Sequence, residues 1–526
     1  MRIFRWLAVG VALVARVMAA VPVSLGGIDA VVERVRKEFE VPGLAVAVVK
    51  DGEVLLARGY GVRKLGEAAP VDAHTRFAIA SNTKAFTAAA LAILVDEGKL
   101  KWGDRVIEHL PWFQMADPYV TREMTLRDLF VHRSGLALGA GDLLYWPAST
   151  YSTEEIARRL RHVPLATSFR AKYAYDNILY LIAGLALERV GGRSWAEFVR
   201  TRILEPVRMG ESSAMPLHPA KADNVATGHA KFDFKELRPL DYAVAFENNP
   251  AAATIHSSVH DLAKWMRVQL AGGRIDAGPD GARSALFTPA RQKEMWSVVT
   301  PMPLPEPRVA ALAAVRPNFL GYGLGWVLAD FRGQRIVYHT GGWPGMVSRL
   351  TLVPERNCGV VVLTNQETGA AFNAVTLHVL DALLGAAPTD WVAAYAEAAK
   401  RSASDADTSW RKHMAARDAD AKLALPLARF AGRLRDAWYG DVIVAEEAGR
   451  LTMRFEKTPQ LIGDLEHWQH QAFIVRWRDR SLNADAWVTF ALTPDAKVES
   501  AKMSAISPLT DFSFDFHHLS LVAVEK

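Results

Sequence analysis

The run Ala85-Phe86-Thr87-Ala88-Ala89-Ala90-Leu91-Ala92-Ile93-Leu94-Val95 has no polar face. A helix that is apolar all round must be surrounded by protein, so this chain has to build layers of structure on every side of one central helix. With 526 residues, half of them hydrophobic, it can do so and still form two or more domains. Its formal net charge is only +5, and Lys and Arg are scattered rather than clustered. That distribution argues against nucleic acid as a partner.

The helix opens with Ser81-Asn82-Thr83-Lys84. Ser-x-x-Lys is common by chance, and a serine at a helix start is often only an N-cap. A lysine inside a buried helix is another matter, because lysine is almost never fully buried without a partner. Residues three apart on a helix are neighbours, and a desolvated ammonium has a lowered pKa. Ser81 beside a lysine that can lose its proton is the pattern of an activated nucleophile.

Residues 1–20 read as an export signal. Arg2 and Arg5 precede the apolar stretch Trp6 to Ala15, and small residues follow at Ala19-Ala20, although Arg16 interrupts the pattern. The stretch is too short for a bilayer, which needs about 20 apolar residues. A mature chain without a membrane span, periplasmic or secreted, is expected. The single cysteine, Cys358, sits in an apolar strand pattern and reads as core. His467 and His470 have ligand-like spacing without a third partner, and His517-His518 reads as surface. No metal and no cofactor are expected.

From Ile28 to Glu40 the spacing predicts a helix. Two apolar runs, Leu44–Val49 and Val54–Ala57, flank Asp51-Gly52, a strong hairpin signal. Residues 301–307, with four prolines, read as an extended surface loop. Strand patterns return at Arg335–Tyr338, Ser348–Val353 and Val360–Leu363, and a helix is expected over Ala371–Leu384. The expected first domain, residues 28–385, is therefore of the α/β (α+β) class, an antiparallel five-stranded sheet with helices on both faces. Residues 386–425 read as an exposed helical linker. In 426–526, short alternating runs at 442–444, 451–455, 473–477, 487–490 and Phe512–Phe516 predict a small all-β barrel or sandwich, of which a barrel is expected.

Two further polar clusters meet apolar elements. Tyr173-Ala174-Tyr175-Asp176-Asn177 opens the apolar run from Ile178 to Gly184, and His339-Thr340-Gly341-Gly342 ends a predicted strand. Each is ordinary alone, as an N-cap or a Gly turn. In the order Ser-x-x-Lys, Tyr-x-Asn, His-Thr-Gly they resemble the penicillin-binding-protein and class C β-lactamase family. Met124–Leu136 and Phe319–Trp326 resemble the segments of that family that precede the second and third motifs, and the tail resembles an appended lipocalin-like domain. The resemblance implies a serine hydrolase with Ser81 as nucleophile, Lys84 and Tyr175 as its proton carriers, and Asn177 orienting Lys84 and substrate. His339, Thr340, Gly341 and Gly342 would bind substrate, with the N–H groups of Ser81 and Gly342 as oxyanion hole.

His339 stands where β-lactamases usually carry lysine. With a pKa near 6.5 it would be mostly neutral at pH 7, and its charge state would affect the binding of an anionic substrate. This favours the esterase and D-aminopeptidase members, which act on esters, amides or peptides, cell-wall fragments among them. A β-lactamase or D,D-carboxypeptidase is the alternative within the class. A non-catalytic module that binds a ligand or another protein is the alternative outside it.

Overall fold

The computed structural model describes residues 25, 27–241, 246–275, 284–423 and 425–524; the segment 1–20, read as an export signal, lies outside them. The expected hairpin forms between β1 (Gly43–Lys50) and β2 (Glu53–Gly61). Asp51 and Gly52 both take positive φ, 51° and 84°, the backbone that a two-residue hairpin turn requires.

The sheet has eight strands rather than the expected five. Besides β1 and β2 it contains β3 (Thr300–Pro301), β4 (Leu320–Tyr322), β5 (Val327–Phe331), β6 (Gln334–Trp343), β7 (Met346–Val353) and β8 (Cys358–Thr364). The order is β2-β1-β8-β7-β6-β5-β4-β3, antiparallel at every pairing. The added strands are short. They lie in the Pro-rich and Gly-rich stretch where alternation is too brief to show. Pro301 ends up on the outermost strand, where a missing N–H costs least. The two ends of the domain meet at β1 and β8, with Val46 opposite Val362.

Both faces of the sheet are covered, so β1 is apolar and buried from Leu44 to Val49. Leu44, Val46 and Val48 pack with α1 (Ile28–Glu38) and α5 (Gly369–Leu384). Ala45, Ala47 and Val49 face the helical middle. There α2 (Thr83–Asp96) is buried along nearly its whole length, as its composition demands, beside α3 (Ile178–Gly191), and α4 (Val259–Leu270) packs on β1. Burying Phe86, Leu91 and Leu94 contributes roughly 1.5–3 kcal/mol each. That margin lets the same helix carry a buried lysine.

The linker is a helix, α6 (Trp391–Ala416), but its start is not exposed: Trp391, Val392 and Ala394 are buried against the first domain. Beyond it, β9 (Gly432–Asp436), β10 (Gly440–Glu447), β11 (Arg450–Phe455), β12 (Ile462–Gln469), β13 (Ala472–Trp477), β14 (Ala486–Leu492), β15 (Val498–Ala505) and β16 (Leu521–Ala523) close into a barrel in sequence order. The expected strand at Phe512–Phe516 is absent. That segment is a loop ending in a 3₁₀ turn, and it leaves the barrel to enter the first domain. The main apolar cluster accordingly continues from α2 and α3 to Phe514 and Phe516 and into the barrel. Among the described residues no helix is long and apolar enough to cross a membrane.

Candidate active site

Ser81 sits in a 3₁₀ turn, Ala80–Asn82, that leads into α2. Ala80 holds φ at 47°, a strained value for a residue with a side chain. The strain is held by packing. A Cβ on Gly341 of β6 would lie 2.2 Å from Ile79 O and 2.7 Å from Ser348 Oγ. Gly341 is thus needed for the strand to lie against the serine turn. Gly342 has nothing within 4 Å of its would-be Cβ and faces the open cleft.

Lys84 is wholly buried. Its Nζ lies 2.9 Å from Ser81 Oγ, 2.7 Å from Asn177 Oδ1 and 3.2 Å from Ala252 O. The rings of Tyr175 and Tyr180 flank it at 5.0 and 5.1 Å. Burial pulls its pKa down to about 7, and the carboxyls of Asp142 and Asp176 only partly resist. Asn177 occupies the N-cap position of α3 without capping it. Its side chain is spent instead on Lys84 and, through Nδ2, on Asp142 Oδ2 at 2.9 Å. Tyr175 lines the same cleft as Ser81, and burial raises its hydroxyl pKa well above the ordinary value. Its ring stands 4.2 Å from that of His132.

His339 is placed beside these groups, but not as expected. It is 3% exposed. Its Nδ1 lies 2.6 Å from the Thr340 carbonyl, which can only accept, so Nδ1 carries the proton and Nε2 accepts from the Tyr322 hydroxyl at 2.7 Å. Burial, with the nearby Lys84 charge, pushes its pKa down to about 3. A mostly neutral His339 is as expected, but a titration in the ordinary histidine range that an anionic substrate could draw on does not fit this setting: desolvation with no anionic partner disfavours the imidazolium.

Ser81, Tyr175, Asn177, His339, Thr340 and Gly342 line one cleft of about 350 Å³. Its walls are aromatic, with Trp146, Phe246, Trp343 and Phe512. No Arg and no Lys is among its described lining residues, and Asp511 supplies a carboxyl. A wider groove of about 1660 Å³ between the two domains meets it at Trp146, Phe246, Trp343 and Asp511. One described cluster, His74, Glu211 and His260, has metal-ligand composition; it lies outside the cleft, and its His74 Nδ1 is hydrogen-bonded to Glu211 Oε1 at 2.6 Å.

Residues 28–384 match the family described as Beta-lactamase. The chain belongs to the beta-lactamase family. Residues 416–522 match a domain of unknown function, DUF3471. Among relatives, the unguisins hydrolase ungD' of Aspergillus campestris is 29% identical over 381 residues, 69% of this chain and 66% of the relative. Protein flp of Staphylococcus aureus (strain COL) is 25% identical over 340 residues, 64% of this chain and 62% of the relative. The chain thus spans less than two thirds of the length of either. The octameric penicillin-binding protein homologue from Pyrococcus abyssi shares the fold with a TM-score of 0.60, at 21% identity over 95% of this chain and 100% of that one. The family match covers all three motifs, and the structure brings all three to one cleft.

Sequence reasoning missed four contributors: Asp142, Tyr145, Tyr322 and the segment 511–516. Asp142 did leave a signal. It stands between Gly141 and Leu143-Leu144, a carboxyl in an otherwise apolar stretch, and a buried carboxyl needs partners. It finds them in Asn177, Ser513 and Tyr145. Burial raises its pKa to about 8, against the pull of those donors.

Proposed function

We propose that the protein is an exported serine hydrolase that cleaves an ester, amide or D-amino-acid-containing peptide through an acyl-Ser81 intermediate. The observation that carries this reading is the hydrogen-bond count at Lys84. A neutral lysine has two N–H donors and one lone pair. Asn177 Oδ1 and Ala252 O accept the two donors, and the lone pair is left for the Ser81 hydroxyl. A pKa near 7 makes that neutral form available at working pH.

Lys84 takes the Ser81 proton as Oγ attacks the carbonyl carbon. Tyr175, whose raised pKa keeps it protonated, passes a proton to the leaving group and is replenished from Lys84. The backbone N–H groups of Ser81 and Gly342 receive the developing oxyanion. Water then repeats the sequence in reverse to release the acid.

The cleft's charge supports uncharged or amine-bearing substrates over carboxylates. Its histidine is neutral, its described lining offers no cation, and Asp511 is its carboxyl. This ranks ester and aminopeptidase chemistry above β-lactamase or D,D-carboxypeptidase chemistry, whose substrates carry a carboxylate beside the scissile bond. Two measurements test the reading. Intact mass after treatment with a fluorophosphonate should show one adduct, absent in Ser81→Ala. Hydrolysis should then be faster with p-nitrophenyl esters or D-amino-acid amides than with nitrocefin. Equal labelling of Ser81→Ala removes Ser81 from the mechanism, and absence of any adduct favours a binding module.

A further inference from the structure

We propose that Asp142 is a positioning residue of the Ser81 centre, and that the C-terminal barrel holds it in place through Ser513 and Asp515. This rests on the acyl-Ser81 reading above and adds to it a task for the barrel.

The argument starts from an ambiguity in Asn177. A primary amide has an oxygen end and an NH₂ end of nearly the same shape, and its neighbours decide which way it points. Lys84 needs the oxygen end, because only the oxygen can accept its N–H. In isolation Asn177 could turn over and present NH₂ to the lysine, donor against donor. Asp142 prevents this. Its Oδ2 lies 2.9 Å from Asn177 Nδ2 and also receives the Ser513 hydroxyl at 2.9 Å, so it serves as an acceptor toward both. With Nδ2 held there, Asn177 Oδ1 faces Lys84 Nζ at 2.7 Å. The Tyr145 hydroxyl bonds the other oxygen, Oδ1, and so the Asp142 carboxyl cannot rotate freely.

The loop that carries Asp142 is itself gripped from the barrel side. Asp515 accepts from the backbone N–H of Gly141 at 2.8 Å and of Leu143 at 3.2 Å, the residues on either side of Asp142. Asp142 and Asp515 are fully buried and Ser513 is nearly so. Gly139, at φ 68°, lets Phe512 approach to where a Cβ would stand 2.8 Å from its ring, and the Gly139 N–H bonds Tyr175 O at 2.9 Å. One loop, residues 139–145, is therefore tied to Tyr175 and Asn177 on one side and to the barrel segment 512–515 on the other. The chain of contacts from Ser513 through Asp142 and Asn177 to Lys84 contains no gap.

The test uses the full-length protein and the second-order rate of Ser81 labelling by a fluorophosphonate, with melting temperature and circular dichroism as folding controls. Asp142→Leu, close in size but without an acceptor, is expected to slow labelling about 100-fold, the cost of roughly 1 Å of misplacement. Asp142→Asn keeps an acceptor oxygen and should recover most of that rate. Ser513→Ala is expected to cost on the order of 5- to 10-fold, one hydrogen bond to a carboxyl. The discriminating readout is a double-mutant cycle. In an Asn177→Ala background, both Asp142→Leu and Ser513→Ala should have little further effect, because their route to Lys84 is already cut. Costs that multiply in full, or wild-type labelling rates in Asp142→Leu, overturn the proposal. If Asp142→Leu does not fold, the Ser513→Ala cycle decides alone. A wild-type protein that is never labelled at Ser81 would instead refute the acyl-Ser81 reading itself, so the two failures are separate results.

Discussion

The pH profile of Ser81 acylation follows from two buried nitrogen bases that titrate far apart. Lys84 drops from an ordinary 10.5 to about 7 because its desolvation outweighs the pull of Asp142 and Asp176. A shift of that size corresponds to about 5 kcal/mol of lost preference for the ammonium. In the proposed mechanism the neutral form is the active one. The labelling rate should therefore rise with pH, reach half its plateau near 7, and fall about tenfold per unit below that. His339, held near 3, is protonated in only about one molecule in 300 at pH 5.5 and adds no limb to the curve. Tyr175, Tyr180 and His132 also face Lys84; burial raises the two phenols out of this window and lowers the histidine, while Asp142, pushed up to about 8 by burial, titrates within the window and is coupled to Lys84, so the acid limb belongs to that pair. The assay is pseudo-first-order fluorophosphonate labelling from pH 5 to 9, paired with steady-state hydrolysis of one neutral and one carboxylate-bearing ester. Both substrates should share a single acid limb. A limb centred near 10 would show that Lys84 is not desolvated as described. A second limb near 6.5, seen only with the anionic ester, would show that His339 titrates after all.

Tyr175→Phe should lower turnover about 100-fold or more, the usual scale for a positioned proton donor, while Tyr173→Phe, which lines the cleft without a bond to Ser81, should be milder; steady-state kinetics of both variants checks the ranking. Gly341→Ala should displace the serine turn, because the new Cβ meets Ile79 O at 2.2 Å, and should cost labelling at least tenfold, whereas Gly342→Ala should fold normally and act only through the cleft. A chain ended near residue 425 should lose Ser513 and Asp515 and expose the apolar cluster they close over, and so should label slowly and bind a hydrophobic dye; undiminished labelling would mean that the first domain holds its own site together.

Periodicity revealed those elements whose burial is uniform or strictly alternating. The apolar runs of α2 and α3, the Asp51-Gly52 hairpin and the strand patterns later seen as β7 and β8 all state their environment in their composition. The three missed strands do not. Thr300–Pro301 and Leu320–Tyr322 are two and three residues long, and in Val327–Phe331 only Asp330 breaks the burial. Such strands exist because a neighbour offers an edge, which is tertiary information. The false strand at Phe512–Phe516 shows the converse. Phe-x-Phe-x-Phe alternates as a strand should, but Phe514 and Phe516 are buried in the shared core while Phe512 reaches the cleft beside Tyr175 at 5.9 Å. Ser513 and Asp515 between them are buried as well, so the alternation in sequence is not matched by alternating burial, because the polar residues are spent on the first domain rather than on solvent.

The same distinction explains the site. Ser81, Lys84, Tyr175, Asn177 and His339 could be picked out because each polar cluster interrupts, begins or ends an apolar element, where a polar group needs a reason. A mostly neutral His339 could be expected from the ordinary histidine range, but how strongly its imidazolium is disfavoured could not, since that depends on what surrounds the ring rather than on its neighbours in sequence. A histidine exposed at the cleft mouth would titrate near 6.5; the same residue with Tyr322 on Nε2 and the Thr340 carbonyl on Nδ1, under 3% exposure, is a fixed neutral hydrogen-bonding unit. Desolvation thus favours the neutral form of both a lysine and a histidine within one cleft, and the neutral lysine is the form that the proposed mechanism uses as base. A histidine at the head of the third motif accordingly leaves a neutral ring where a lysine would place a cation, which is why the proposed reading ranks carboxylate-bearing substrates lower.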